Sequence, residues 1–388
     1  MSSKSKSAFW NGFVFVLFFI LPQVIVFTQS TYNPTNPFWL LYLIVVAAFM
    51  FIRRSYWDES MRNPYFFFLS ICFGVLMSTL EGLPIGGVLS RITIAAVAFW
   101  GYAYFSHNRI SPDVFIILLP LLYCFFYLTY FRYDVIYRLS VNGNLYGESS
   151  SNTIPIILNC VWLYYYIITI TNKKIEVKRY HYWGLLLFSA INLFLIIIQG
   201  SRAGITVAAI DLLLVVSRMT KFSNQAFIIL FVAMIIAFMY FAEDYLSSIM
   251  EVDKMQGWAS LEDNNRGVAQ VSFFAKMNLE RFILGYPPNS VFGDNNRTFN
   301  AFLDFWANFG LLPLTVLVFF LLRRLFKWKH YSLSLLTFAP VLFYSLVESF
   351  WGGSFLDILI YILLFYSYDK DTSKTSFSFQ TNTKGMVS

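Results

Sequence analysis

Residues 182–217 read YWGLLLFSAINLFLIIIQGSRAGITVAAIDLLLVVS, two long apolar stretches joined by the turn Gln199-Gly200-Ser201-Arg202-Ala203-Gly204. Continuous apolar runs of this length read as helices crossing a hydrocarbon layer of about 30 Å, because only a helix satisfies its own backbone there. The pattern recurs along the chain. Apolar runs fall at 9–27, 38–52, 65–80, 87–105, 114–131, 153–171, 182–199, 203–217, 226–241, 301–322, 333–350 and 355–367, which predicts an all-α, polytopic bundle of twelve transmembrane helices. Two of these, 38–52 and 355–367, are short for a full crossing. Of the 388 residues 58% are hydrophobic and only 13% charged, against about 25% in an ordinary soluble domain. The runs are too long and too continuous for the alternating strands of a β-barrel.

Basic residues test the topology independently. The formal net charge is +7, carried by 28 Lys and Arg, and in a polytopic chain such residues gather in loops that stay inside. With the N-terminus cytoplasmic, nineteen of them fall inside, from Lys4 and Lys6 through Lys173, Lys174, Arg323 and Arg324 to the tail. The other nine are Arg91, Arg132, Arg138, Arg202, Lys254, Arg266, Lys276, Arg281 and Arg297. The economical solution has both termini cytoplasmic and one bundle over 1–388, with the long segment 242–300 outside, between the ninth and tenth helices. Residues 369–388 read as a disordered cytoplasmic tail. The start of the chain, Lys4 and Lys6 before an apolar run, lacks a small-x-small cleavage site and reads as an uncleaved first helix.

The minor residue types narrow the chemistry. Cys72, Cys124 and Cys160 all fall in apolar runs, so no disulfide framework or thiolate metal site is implied. His107, His181 and His330 fall at inside loops, which leaves outer-face chemistry without histidine. A metal centre needs clustered His, Cys or carboxylate ligands, and a phosphate loop needs Gly-rich sequence ending in Lys and Ser or Thr; neither pattern occurs. No cofactor is expected, and the basic excess requires no nucleic acid. The first outer connection, Thr28 to Pro37, has no carboxylate of the kind that many polyprenyl-phosphate-sugar transferases use to bind metal.

Intramembrane charge is costly, so each charged group at the membrane is a candidate functional residue. In the short outer turn Ser201 can cap the next helix, and Arg202 lies in that helix's first turn. A cation beside the positive end of a helix dipole is unfavourable unless an anion joins it, and a guanidinium with free N–H groups suits a phosphate. The alternative is an arginine that snorkels to lipid headgroups. The segment Ala242 to Asn300 adds a predicted amphipathic helix over about 265–280, starting at Asn264-Asn265-Arg266, and a turn at Gly285-Tyr286-Pro287-Pro288. Most of its charges read as a solvated face. Trp258, Tyr286 and Phe292 could stack on sugar rings, or form an ordinary interfacial belt. Within helices, Asp211 and Asp304 are expected to pair with each other or with an arginine, and Glu348 and Asp357 flank the turn Trp351-Gly352-Gly353.

In order, Ser201-Arg202-Ala203-Gly204, Arg266 about nineteen residues before Gly285-Tyr286-Pro287, and Asn300-Ala301-Phe302-Leu303 leading to Asn308-Phe309-Gly310-Leu311-Leu312 resemble the O-antigen polymerase and O-antigen ligase family of polytopic membrane proteins. Arg138 through Asn152 is similar to a further, loosely patterned stretch of that family. The likeness spans roughly 138–312 and implies a GT-C-like bundle in a bacterial inner membrane, with its active site facing the periplasm. It implies glycosyl transfer from undecaprenyl-pyrophosphate-linked oligosaccharide, without metal or nucleotide sugar, and a chain-length regulator and a flippase as protein partners. By this resemblance Arg202 and Arg266 match catalytic arginines that engage pyrophosphate, and Arg297, Arg138, Asn300 and Tyr286 become substrate-binding candidates. The family's ligases place His where this chain has Phe299, a departure that favours the polymerase branch.

A polyprenyl pyrophosphate already leaves readily, so the enzyme chiefly stabilises charge on the departing oxygen; one preorganised donor is worth about 3 kcal/mol, or roughly a hundredfold in rate. Direct displacement by an acceptor hydroxyl needs a base, which without histidine is a carboxylate or the pyrophosphate itself. Asp294, Glu348 and Glu81 are the outer-face candidates. Two other readings stay open: a ligase that moves finished glycan to lipid A core, and a lipid-linked oligosaccharide flippase or other transporter. Transporters show internal repeats and midplane charges, whereas this chain has no evident repeat and most of its candidate charges fall at one face.

Overall fold

The computed structural model describes residues 3–22, parts of 41–49, 62–80, 82–126, 153–171, 178–199, 202–220, 265–287, 290–293, 298, 300–326, 342, 344–345 and 356–365. The structure is all-helical, with no strand among the described residues. Helix α1 (Ser3–Phe15) runs into a π-helical turn, Val16–Ile20. Then come α2 (Arg62–Met77), α3 (Ile85–His107), α4 (Asp113–Phe126), α5 (Thr153–Thr171), α6 (Arg179–Gln199) and α7 (Arg202–Thr220). The later elements are α8 (Asn265–Ala275), α9 (Leu279–Leu284), α10 (Ala301–Phe309), α11 (Leu311–Phe326) and α12 (Leu356–Phe365).

Among the described residues two helices are long and apolar enough to cross a bilayer, Ile85–His107 and Arg179–Ile197, and they coincide with the predicted spans 87–105 and 182–199. Five shorter apolar helices match other predicted spans, Lys6–Ile20, Pro64–Met77, Asp113–Phe126, Ile154–Ile170 and Gly204–Val216, whereas the predicted span 301–322 is broken at Gly310, where φ is +81°, into Ala301–Phe309 and Leu311–Phe326. The predicted spans 226–241 and 333–350 lie wholly or mostly outside the described residues, as does the tail.

Helix α5 lies at the centre. Every residue from Ile154 to Thr169 is buried, as expected of a helix apolar on all sides. It packs on α4, α6, α7 and α12, while α3 packs on α2 and α12, and α2 on α10 and α11. Several aromatic hydroxyls and indoles inside this core are matched to backbone carbonyls: Tyr164 Oη donates to Leu359 O at 2.6 Å, Trp162 Nε1 to Leu185 O at 3.3 Å, and Tyr123 Oη to Phe188 O at 3.0 Å. Such pairing is what makes polar atoms tolerable in an apolar interior.

The outer helices are apolar in both directions. Phe66, Leu69, Phe73 and Leu76 of α2, Ile117 and Leu121 of α4, Trp183, Leu187 and Phe194 of α6, and Phe319 and Leu322 of α11 all point outward and are exposed. Meanwhile Asn159, Ser189, Asn192 and Asp211 lie buried inside.

Candidate functional site

The motifs at 265–287 and 300–312 meet around α8 to α11, whereas Arg202 opens α7. Helix α9 starts at Asn278, whose side chain accepts from Arg281 N at 2.8 Å, and it stops at Gly285, where φ is +96°. The chain turns there so that Tyr286 N donates to Ala307 O at 2.8 Å. Helix α10 starts at Asn300, whose Oδ1 accepts from Phe302 N and Leu303 N at 3.0 and 3.2 Å, an N-cap of the ordinary kind. It stops at Gly310, with φ +81°. The two glycines interlock: a Cβ on Gly285 would stand 2.5 Å from Ala307 O, and one on Gly310 would stand 2.6 Å from Ile283 O. Only glycine combines this left-handed conformation with so close a backbone approach. On the other side, a Cβ on Gly74 of α2 would come within 2.2 Å of Phe309 O, so α2 also rests on the α10 backbone.

Side chains tie this corner to the bundle. Arg91 of α3 donates to Asn308 O at 3.1 Å and to Asn308 Oδ1 at 2.7 Å, with its guanidinium 5.6 Å from the Phe309 ring centroid. Asp357 of α12 lies within electrostatic reach of that guanidinium. Ser78 Oγ also donates to Asn308 O, at 3.0 Å. Asp304 Oδ1 accepts from Thr298 N and Thr298 Oγ1, both at 2.8 Å.

Above the corner sits a small second core: Ala269, Phe273, Tyr286, Phe292 and Ala307, flanked by Met277, Leu303 and Trp306. The predicted helix over 265–280 forms as α8, ending at Ala275. Its Ala269 and Phe273 face this core, while Val268, Val271 and Phe274 are exposed. Tyr286 and Phe292, proposed for sugar stacking, are 5% and 3% exposed, and their rings meet each other and Phe273 instead. The Tyr286 hydroxyl donates to Phe273 O. Burial pushes this phenol's pKa up, against the pull of Arg281, whose guanidinium is 5.5 Å from the ring centroid, so the group is a neutral donor. Trp258 lies outside the described residues.

Of the predicted catalytic pair, Arg202 is the first residue of α7 and Arg266 lies in the first turn of α8. Each therefore opens a helix, where the unpaired backbone N–H groups and the dipole favour an anion. Only the backbone of these two is described. Asn300, a substrate-binding candidate, uses its side chain to cap α10. Arg138, Arg297, Asp294, Glu348 and Glu81 lie outside the described residues.

Among the described residues Asp211 pairs with neither Asp304 nor an arginine: Asp304 Oδ1 is answered by Thr298, and neither carboxylate oxygen of Asp211 has a partner there. Arg91 and Asn308 form a contact that sequence reasoning missed, although a lone arginine inside an apolar span was its visible signal. No group of three His, Cys, Asp or Glu side chains occurs among the described residues. No family model matches the chain, and no curated protein or solved structure matches it either.

Proposed function

We propose that the chain is a polytopic inner-membrane glycosyltransferase that joins undecaprenyl-pyrophosphate-linked oligosaccharide repeat units into O-antigen or a similar polysaccharide. The observation that carries the reading is the placement of the two motif arginines, each at the start of a helix, where a cation is unfavourable without a bound anion. The outward-facing Phe, Leu and Trp side chains of α2, α4, α6 and α11 support a bilayer setting, because a water-facing bundle hides such stripes. On this reading the bundle has twelve spans with both termini cytoplasmic, and Arg202 and Arg266 face the periplasm.

The reaction is a displacement. The acceptor hydroxyl attacks the anomeric carbon of the donor sugar, a new C–O bond forms, and the bond to the pyrophosphate oxygen breaks. The acceptor proton passes to an outer carboxylate or to the pyrophosphate, and the arginines hold the developing negative charge. One observation favours a second reading, a lipid-linked oligosaccharide flippase: Asp211 is a charged residue type deep in the bundle, as in transporters.

Lipopolysaccharide gels separate the readings. Cells carrying Arg202→Ala or Arg266→Ala should add a single repeat unit to core, with the variant still inserted in the membrane. Complete loss of O-antigen would indicate a ligase or flippase, and normal long-chain ladders from both variants would remove the arginines from the site.

A further inference from the structure

Helices α6 and α7 form an antiparallel hairpin and pack closely. Asn192 lies seven residues before the end of α6 and Asp211 nine residues after the start of α7. At 1.5 Å per residue these positions are about 10 and 13 Å from the turn, so the two residues share one level of the hairpin. Both are 0% exposed. Tyr123, bonded to Phe188 O one turn from Asn192, lies within electrostatic reach of Asp211, which places the carboxyl beside this stretch of α6.

Three acceptors remain unanswered there: Asp211 Oδ1, Asp211 Oδ2 and Asn192 Oδ1 have no hydrogen-bond partner among the described residues. Asn192 turns its amide nitrogen to Asn159 Oδ1, donating at 2.8 Å, and Asn159 in turn donates to Tyr344 Oη at 2.9 Å. The described ionisable groups in reach of Asp211 are Tyr123 on α4 and Cys160 on α5, and no described cation offsets it. A carboxylate with neither partner nor cation costs several kcal/mol in such surroundings, and proteins avoid this by taking up a proton. Water could supply hydrogen bonds, but not the missing positive charge.

We propose that this level of the α6–α7 hairpin is a proton-binding site, in which Asp211 is a carboxylic acid donating to Asn192 Oδ1. One proton then removes the charge and satisfies both residues. The hydrogen-bond chain becomes continuous and runs in one direction, from Asp211 through Asn192 and Asn159 to Tyr344. Turning both amides over would reverse the chain and serve an ionised Asp211 instead, so its polarity reports the protonation state. The hairpin that carries Arg202 at its turn is thereby closed by a proton. This inference stands on helix packing and does not depend on the glycosyltransferase reading.

Infrared spectroscopy of the full chain in lipid nanodiscs, at a pH well above the ordinary carboxylate range, tests it. The expected result is a protonated-carboxyl C=O band that is missing from Asp211→Asn, whose amide still offers Asn192 a donor. In Asn192→Leu the same band should move to higher frequency, because its O–H has lost its acceptor. Added sodium should leave the wild-type band unchanged. Identical carboxyl regions in wild type and Asp211→Asn would overturn the proposal, as would loss of the band on adding sodium, which marks a cation site. If Asp211→Asn fails to fold, the Asn192→Leu spectrum decides alone, and an unshifted band refutes the pair.

Discussion

At the corner formed by α9, α10 and α11, Asp304 takes two hydrogen bonds from Thr298 and Asn308 takes two from Arg91, whereas Asp211 in the α6–α7 hairpin takes none from any described residue. Both regions bury polar groups in apolar surroundings. In the corner Asp304 Oδ1 and Asn308 are each answered by donors, so the arrangement acts as a fixed anchor. In the hairpin the acceptors outnumber the donors, and the shortage is itself the chemical information. A satisfied network specifies geometry, while an unsatisfied one implies something that binds.

The largest effect should come from breaking the corner's backbone interlock. Gly310→Val forces a branched residue into a left-handed conformation and pushes Cβ toward Ile283 O, a backbone atom that cannot turn aside. Strain and overpacking together should cost about 4 kcal/mol, visible as a lowered unfolding midpoint in detergent. Arg91→Leu comes next. It leaves Asn308 unserved and Asp357 without its nearby cation, for about 3 kcal/mol. Asn300→Ala removes only a helix cap and should cost about 1 kcal/mol in the same assay. A reversed order, with the cap dominating, would mean that the corner is not held by Gly310 and Arg91.

The sequence reading reached the helices more easily than the contacts. Helices such as Ile85–His107 and the α6–α7 hairpin are legible because a long, continuous apolar run exceeds the length of a buried strand. The start of α8 was legible to within a residue, and the glycines at 285 and 310 stood in the motifs that sequence singled out. The partners of the buried polar residues were not. Arg91 and Asn308 are 217 positions apart, and no local periodicity links them. Tyr286 looked available for a sugar because it is an aromatic in the predicted outer segment; it is buried because its ring packs on Phe273 and Phe292. Asp211 and Asp304 looked like partners because both are acidic residues in apolar helices, but pairing is decided by which helices touch.

Arg202 and Arg266 should matter little for folding, within about 0.5 kcal/mol, and greatly for chemistry. The direct measurement is chain lengthening by the purified, lipid-reconstituted protein supplied with undecaprenyl-pyrophosphate-linked repeat units. The wild type should build a ladder of polymers, and Arg202→Ala and Arg266→Ala should each slow its growth by about a hundredfold while unfolding at the wild-type temperature. Ladders growing at the wild-type rate from both variants, or no lengthening by the wild type itself, would contradict the account.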